Sequence, residues 1–285
     1  MKLSIDYRAA YRYEGRISLS PHVVRLFPRD ALQARVAVLH FATNPSGSIH
    51  WRHDLFDNVV AQCFYPREED GLLFEFHAEI IVEPRNPFGF LLDSRALQWL
   101  PEYTPRECAV LAAFLEAPTV KLPAALRPVS GGETIGALVA MNEWIHANIA
   151  YERREEGDAY PPEETLRRGR GACRDTAVLL AAALRAQGLG ARLVSGFLWE
   201  SASDPAKHKA DSSLHAWTEV FLPGAGWIGL DPSNGVLVDH HYLATAVGVV
   251  QADIEPVSGL YFGDRAVPHR LETALRITRD ESVSE

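Results

Sequence analysis

The segment 173–187 constrains this chain more than any other. Leu179, Leu180, Ala181, Ala182, Ala183 and Leu184 leave its helix almost no polar face. A helix that is apolar nearly all round is stable only when other layers cover most of its surface. Gly188 and Gly190 stop it, and the run Gly169-Arg170-Gly171-Ala172 precedes it. The chain thus delivers one side chain, Cys173, from a loop onto the first turn of a buried helix.

The flanking sequence supplies the covering. The first hundred residues read as β-structure. Leu3, Ile5 and Tyr7 alternate with polar residues, and further strands are predicted over 16–27, 35–42, 58–65 and 72–82. Turn signals at Asn44-Pro45-Ser46-Gly47, Asp57-Asn58 and Glu69-Asp70-Gly71 separate them. Short strands spaced this way predict an antiparallel sandwich. Prolines 84, 87, 101, 105, 118, 123 and 128 mark a junction within 100–130, with a short helix near 106–116. From 133 the pattern is helical, with Ile135, Leu138, Val139, Ile145 and Ile149 on one face, ending near Tyr151 before a charged loop at 152–157. Beyond the buried helix come a strand at 191–200, a polar loop at 201–213, a strand at 215–222, a turn at 223–226 and a strand at 227–231. The expected fold class is α+β. Its parts are an N-terminal antiparallel β-sandwich at 1–100, a linker at 101–130 and an α+β domain at 131–285.

Bulk properties remove several functions. The 285 residues are 47% hydrophobic and 23% charged, the balance of a globular protein. A formal charge of −9 argues against a nucleic-acid surface, which needs a basic stripe. Residues 1–10 lack the apolar core of a signal peptide, and no apolar run reaches membrane-spanning length. The expectation is therefore a cytoplasmic protein without nucleic-acid or membrane partners. Three widely spaced cysteines, Cys63, Cys108 and Cys173, form neither a disulfide framework nor a Cys-x-x-Cys zinc site. Cys63 and Cys108 read as small buried hydrophobes.

Cys173 differs because a histidine and an aspartate stand downstream at matching element boundaries. His215 opens the strand after the polar loop, and Asp231 ends the next strand. A thiol attacks a carbonyl only as thiolate, which a helix N-terminus and a neighbouring imidazolium both favour. A hairpin turning at 223–226 pairs residues whose numbers sum to about 449. That sets His215 opposite about residue 234, three positions beyond Asp231, within the uncertainty of the turn. A carboxylate bound to one imidazole nitrogen fixes the tautomer and leaves the other nitrogen for the thiol. The Cys173 backbone N–H is an oxyanion donor in this reading, with no second donor assigned. Taken singly, each residue also has an ordinary structural reading; the three in order, each in its local context, favour catalysis.

Four runs carry a family resemblance: Gly171-Ala172-Cys173-Arg174-Asp175-Thr176-Ala177, Gly190–Leu198, His215-Ala216-Trp217-Thr218-Glu219-Val220 and Gly226–Gly235. Together they resemble the core of bacterial transglutaminase-like proteins, within the papain-like cysteine peptidase superfamily. Val24–Arg29 and Asp54–Asn58 resemble the β domain that precedes this core in one bacterial subgroup. The resemblance implies Cys173 as nucleophile, His215 as base and acid, and Asp231 as orienting carboxylate. It implies a peptide or protein substrate, no organic cofactor and generally no metal. The sequence departs from the family at Ser233, where threonine is common, and at Gly248-Val249-Val250-Gln251, where a Gly-Arg-Asp-Tyr segment is common; Asp253 and Pro256 keep their spacing.

Around this trio, Arg174 is a candidate substrate contact or a partner for a core carboxylate, and Asp175 favours the helix dipole. Trp217 and Trp227 are read as packing under the hairpin, with a wall of the acyl pocket as the alternative role; Trp217 is the candidate substrate contact. Asp239-His240-His241 suggests a metal only weakly, because neighbours on an extended chain point to opposite sides. His208, Asp211 and His215 offer another metal route that no helical spacing supports. Two functions are compatible with these residues: a thiol-dependent enzyme cleaving or transamidating peptide or isopeptide amides, and a catalytically silent binding or scaffold module.

Overall fold

The computed structural model describes residues 1–30, 34–127, 132–154, 157–199, 213–263 and 269–280. Six strands open the chain: β1 (Lys2–Leu19), β2 (His22–Val24), β3 (Ala34–Asn44), β4 (Ser48–His53), β5 (Val59–Phe64) and β6 (Glu69–Val82). Then come α1 (Pro105–Val110), α2 (Ala112–Leu115), α3 (Thr134–Asn148), β7 (Ala150–Tyr151), α4 (Pro162–Arg168), β8 (Arg170–Gly171) and α5 (Cys173–Ala186). The last part holds β9 (Ala191–Leu198), β10 (Ser213–Leu222), β11 (Gly226–Asp231), β12 (Val236–Leu237), β13 (Tyr242–Gly248), α6 (Gln251–Ile254), β14 (Val257–Ser258), β15 (Tyr261–Phe262) and β16 (His269–Asp280).

Alternation builds the first half. On β6, Leu72, Phe74, Phe76, Ala78, Ile80 and Val82 are buried in turn, and on β1 so are Leu3, Ile5, Tyr7 and Ala9. These strands form one antiparallel sheet with β3, β15 and β16, and a second antiparallel sheet runs β14-β2-β5-β4. The predicted strand at 16–27 is two strands. Pro21 lies between them, and a proline supplies no N–H to a ladder. β4 was missed because His50, Trp51, Arg52 and His53 all lie exposed, which erases the alternating signal.

The second sheet system has the order β12-β11-β10-β9-β13. α5 packs on β10 and β9, and Ala177, Leu180, Ala181 and Leu184 share one apolar cluster with Leu138, Met141 and Ile145 of α3 and Leu193, Val220 and Leu222 of the sheet. Residues 175–185 of α5 are buried apart from Val178. Truncating Leu180 in such a core costs about 3 kcal/mol. Thr218 on β10 donates its hydroxyl to the Ala177 carbonyl at 2.8 Å, tying strand to helix. Gly188, with φ of 81°, lies in the turn after the helix.

The C-terminal strands return to the first half. β16 pairs with β1 from Lys2↔Asp280 to Tyr13↔His269, and β14 pairs with β2. The sequence division assigns these strands to 131–285, whereas their ladders place Val257–Ser258, Tyr261–Phe262 and His269–Asp280 in the N-terminal sheets. Leu271, Leu275 and Ile277 pack on the sandwich core. That core also receives Phe197, Trp199 and Leu243 from the second half. The Asp54–Asn58 run is a junction: Asn58 accepts from Val247 N–H at 2.9 Å and donates to Val247 O at 2.8 Å. Among the described residues no helix is long and apolar enough to cross a membrane.

Candidate active site

The geometry begins with α5. Its first residue is Cys173, and the first-turn N–H groups of a helix have no intrahelical acceptor. Two short segments fix the approach: β8 pairs in parallel with β7, setting Gly171 beside Tyr151. Asp175 then closes the turn. Its Oδ2 accepts from the Ala172 N–H at 2.7 Å, and its Oδ1 accepts from Tyr160 N–H at 2.8 Å and from Arg154 at 2.6 Å. A side chain at Gly171 would meet the Asp175 Cβ at 2.8 Å, so this glycine admits the close turn. Arg174 donates to the Arg154 carbonyl at 2.8 Å, which engages it with the protein's own loop.

β10 and β11 bring in the other two groups. Their register pairs Thr218 with Leu230, one step from the predicted sum, so β11 ends just short of His215. Across that end the His215 Nε2 donates to the Asp231 Oδ2 at 2.8 Å, with both side chains buried. The other nitrogen, Nδ1, is buried without a hydrogen bond of regular geometry. The Cys173 thiol is its neighbour and couples to it electrostatically. The structure therefore brings the three sequence-predicted residues together.

Asp231 is unusually well solvated by protein. Its Oδ2 also accepts from Asn234 Nδ2 at 2.7 Å and the Tyr242 hydroxyl at 2.8 Å, and its Oδ1 accepts from the Ser233 N–H at 2.8 Å. Burial pushes this carboxyl up, but the His215 charge and these bonds outweigh it and hold it down at about 2. For His215, burial pushes down, yet the Asp231 charge and then the Cys173 charge carry it well above the ordinary imidazole value. For Cys173, burial pushes up; the neighbouring His215 charge and the Ala216 backbone N–H outweigh it, and the thiol is lowered. Both directions favour the thiolate–imidazolium form of the pair over the neutral one.

Tyr242 and Asn234 were not singled out from the sequence. Asn234 stands in the Gly226–Gly235 run, two residues past Pro232; Tyr242 gives no local signal, because only the pairing of β13 with β9 brings it near. Trp217, read as a packing residue or acyl-pocket wall, is 1% exposed and lies edge-on to Tyr242 at 5.4 Å. It offers no face to a substrate, and packs beneath the hydroxyl that Asp231 accepts. Trp227 lies against Phe114, Phe221 and the Arg192 guanidinium. Ser233, the departure from the family, bonds to Thr176 at 3.0 Å and ties the turn after β11 to α5. In the other departure, Gln251 accepts from the Ala159 N–H at 2.7 Å and so holds the loop that leads to Asp175.

Cys63 is buried as expected, and burial raises its thiol to about 11. Cys108 is exposed, against expectation, because α1 buries none of its residues. Asp239, His240 and His241 form a turn and not an extended strand, so their ligand atoms lie within 4.8 Å of one another. His208 and Asp211 lie outside the described residues.

A buried cysteine helix packed on an antiparallel sheet, behind an N-terminal β-sandwich, defines an α+β protein with a transglutaminase-like core. Comparison with known sequences agrees. The transglutaminase-like superfamily model matches residues 127–232, and the bacterial transglutaminase-like N-terminal region matches residues 3–83. The chain thus carries a transglutaminase-like core and a bacterial transglutaminase-like N-terminal region. An uncharacterized protein of Mycobacterium leprae is 25% identical, over 98% of this chain and 99% of its own. One of Mycobacterium tuberculosis is 28% identical, over 90% of this chain and 87% of its own. The crystal structure of a candidate cysteine protease from Cytophaga hutchinsonii shares the fold, with a TM-score of 0.74 at 15% identity, covering 99% of this chain and 92% of that one.

Proposed function

We propose that this protein is a thiol-dependent acyl-transfer enzyme acting on peptide or isopeptide amides through a thioester on Cys173. The observation that carries the reading is the division of His215 between two partners: its Nε2 is held by Asp231, while the same ring couples to the Cys173 thiol. In this reading the Cys173 sulfur attacks the amide carbonyl. The Cys173 backbone N–H, which has no intrahelical acceptor in the first helical turn, stabilises the oxyanion. Imidazolium His215 passes its proton to the departing amine as the C–N bond breaks, leaving a thioester and neutral imidazole. Water, or an amine, then attacks the thioester with His215 taking its proton, and the thiolate leaves. Asp231 holds the ring and stabilises its charge throughout. Hydrolysis is the favoured second half, since water needs no acceptor site. A cytoplasmic location belongs to the same proposal and is checked by cell fractionation.

The test is mass-spectrometric screening of a peptide library with the wild type and Cys173→Ala. The expected result is wild-type products absent from the variant, with an acyl adduct on Cys173 at early times. Products unchanged in Cys173→Ala would remove the assignment. Failure of every substrate and thiol probe, with a protein partner co-purifying, would establish the scaffold reading instead.

A further inference from the structure

The turn before β13 assembles three metal-ligating side chains that the proposed chemistry does not use. We infer that Asp239, His240 and His241 form a site for a divalent transition-metal ion such as zinc. Sequence reasoning disfavours such a tripeptide, because successive side chains of a strand diverge. Here the backbone turns at His240 and His241, and the two imidazole rings lie 4.2 Å apart at an interplanar angle of 36°. Asp239 is drawn to the same side: its Oδ1 accepts from the His241 backbone N–H and meets the His241 Nδ1, both at 2.9 Å. One ligating atom from each residue lies within 4.8 Å of the other two. Around a tetrahedral zinc, ligand atoms stand about 3.3 Å apart. Side-chain rotations that move these atoms by roughly an ångström close that gap. All three residues are partly exposed, so an ion reaches them from solvent.

The donor set selects the ion. Two imidazoles and one carboxylate suit zinc, nickel or copper, whereas calcium and magnesium take oxygen ligands. The backbone supports the turn from neighbouring elements: Trp199 N–H donates to the His241 carbonyl at 3.0 Å, and the Trp199 indole donates to the His240 carbonyl at 3.2 Å. The indole also lies 4.8 Å from the His241 ring, which places a fluorescent reporter beside the site. The next residue, Tyr242, donates its backbone N–H to the Asp239 carbonyl at 3.3 Å and its hydroxyl to Asp231.

Calorimetric titration of Zn²⁺ into the Cys173→Ala protein tests this, because that background removes the thiol as a competing ligand. The expected result is saturable one-to-one binding, weakened at least tenfold by the double substitution His240→Ala/His241→Ala. Quenching of tryptophan fluorescence by Cu²⁺ is expected to shrink in Trp199→Phe. Absence of saturable Zn²⁺ binding in Cys173→Ala overturns the proposal without any further variant. So does an unchanged affinity in the double variant, or a loss of binding that tracks His77→Ala instead, since His77 and His40 stack elsewhere on the β3–β6 ladder.

Discussion

Two fully buried aspartates flank Cys173, and they serve opposite ends. Asp175 spends its oxygens on two backbone N–H groups and on Arg154, all donors that keep their protons at any ordinary pH. Asp231 also accepts several fixed bonds, but one donor is an imidazole that also couples to the Cys173 thiol. The first carboxylate closes a turn; the second holds a group that can gain and lose a proton. Burial and saturation alone do not separate a structural carboxylate from one at a reactive centre. The titratability of its partner does.

Substitutions sharpen that contrast. The largest effect belongs to Cys173→Ala, which is expected to lower turnover by about 10⁶-fold with an unchanged melting temperature; subtilisin loses this much when its nucleophile is removed. Asp231→Ala comes next, with a loss on the order of 10⁴-fold and a protein that still folds, read by circular dichroism beside activity. Asp175→Ala should reverse the pattern. It leaves buried donors unpaired and costs about 3 kcal/mol in denaturant unfolding, while turnover per folded molecule changes little. Equal profiles for the two aspartate variants would break the comparison. The smallest effect is Tyr242→Phe: one hydrogen bond fewer on Asp231 is worth about 1 kcal/mol, hence a several-fold loss and an acid limb of the pH profile moved upward.

Stability should carry the same signature. The Asp231 carboxyl, down at about 2 in the folded chain, is above that when unfolded. Its contribution is therefore present above about pH 4 and lost as pH falls through about 2. His215 is raised, so its contribution is complete below about pH 6.5 and lost as pH rises through its elevated folded value. Unfolding of Asp231→Ala across pH 4 to 2 is expected to show a flatter slope than the wild type.

The grouping of Cys173, His215 and Asp231 was legible because each member sits at an element boundary marked by glycine, proline or a polar loop. Apolar periodicity likewise marked α3, α5 and the inward face of β6. What escaped had no local signal. β4 shows solvent an almost unbroken row of residues, β16 finds its partner more than 250 residues away, and Tyr242 reaches Asp231 only through the β13–β9 ladder. Trp217 was readable as packing or as pocket, and only its burial decides between them. The turn at Asp239–His241 also escaped, because the sequence there reads as an extended chain.

The central claim is that His215 keeps Cys173 as a thiolate. The most direct measurement is the rate of iodoacetamide alkylation of each cysteine from pH 5 to 9, resolved by peptide mass spectrometry, in the wild type and in His215→Ala. The account predicts rapid labelling of Cys173 at pH 6, before the buried Cys63 reacts at all and well ahead of the exposed Cys108, with that advantage lost in His215→Ala. Labelling of Cys173 that tracks the same pH curve as Cys108, and does not change in His215→Ala, would contradict it.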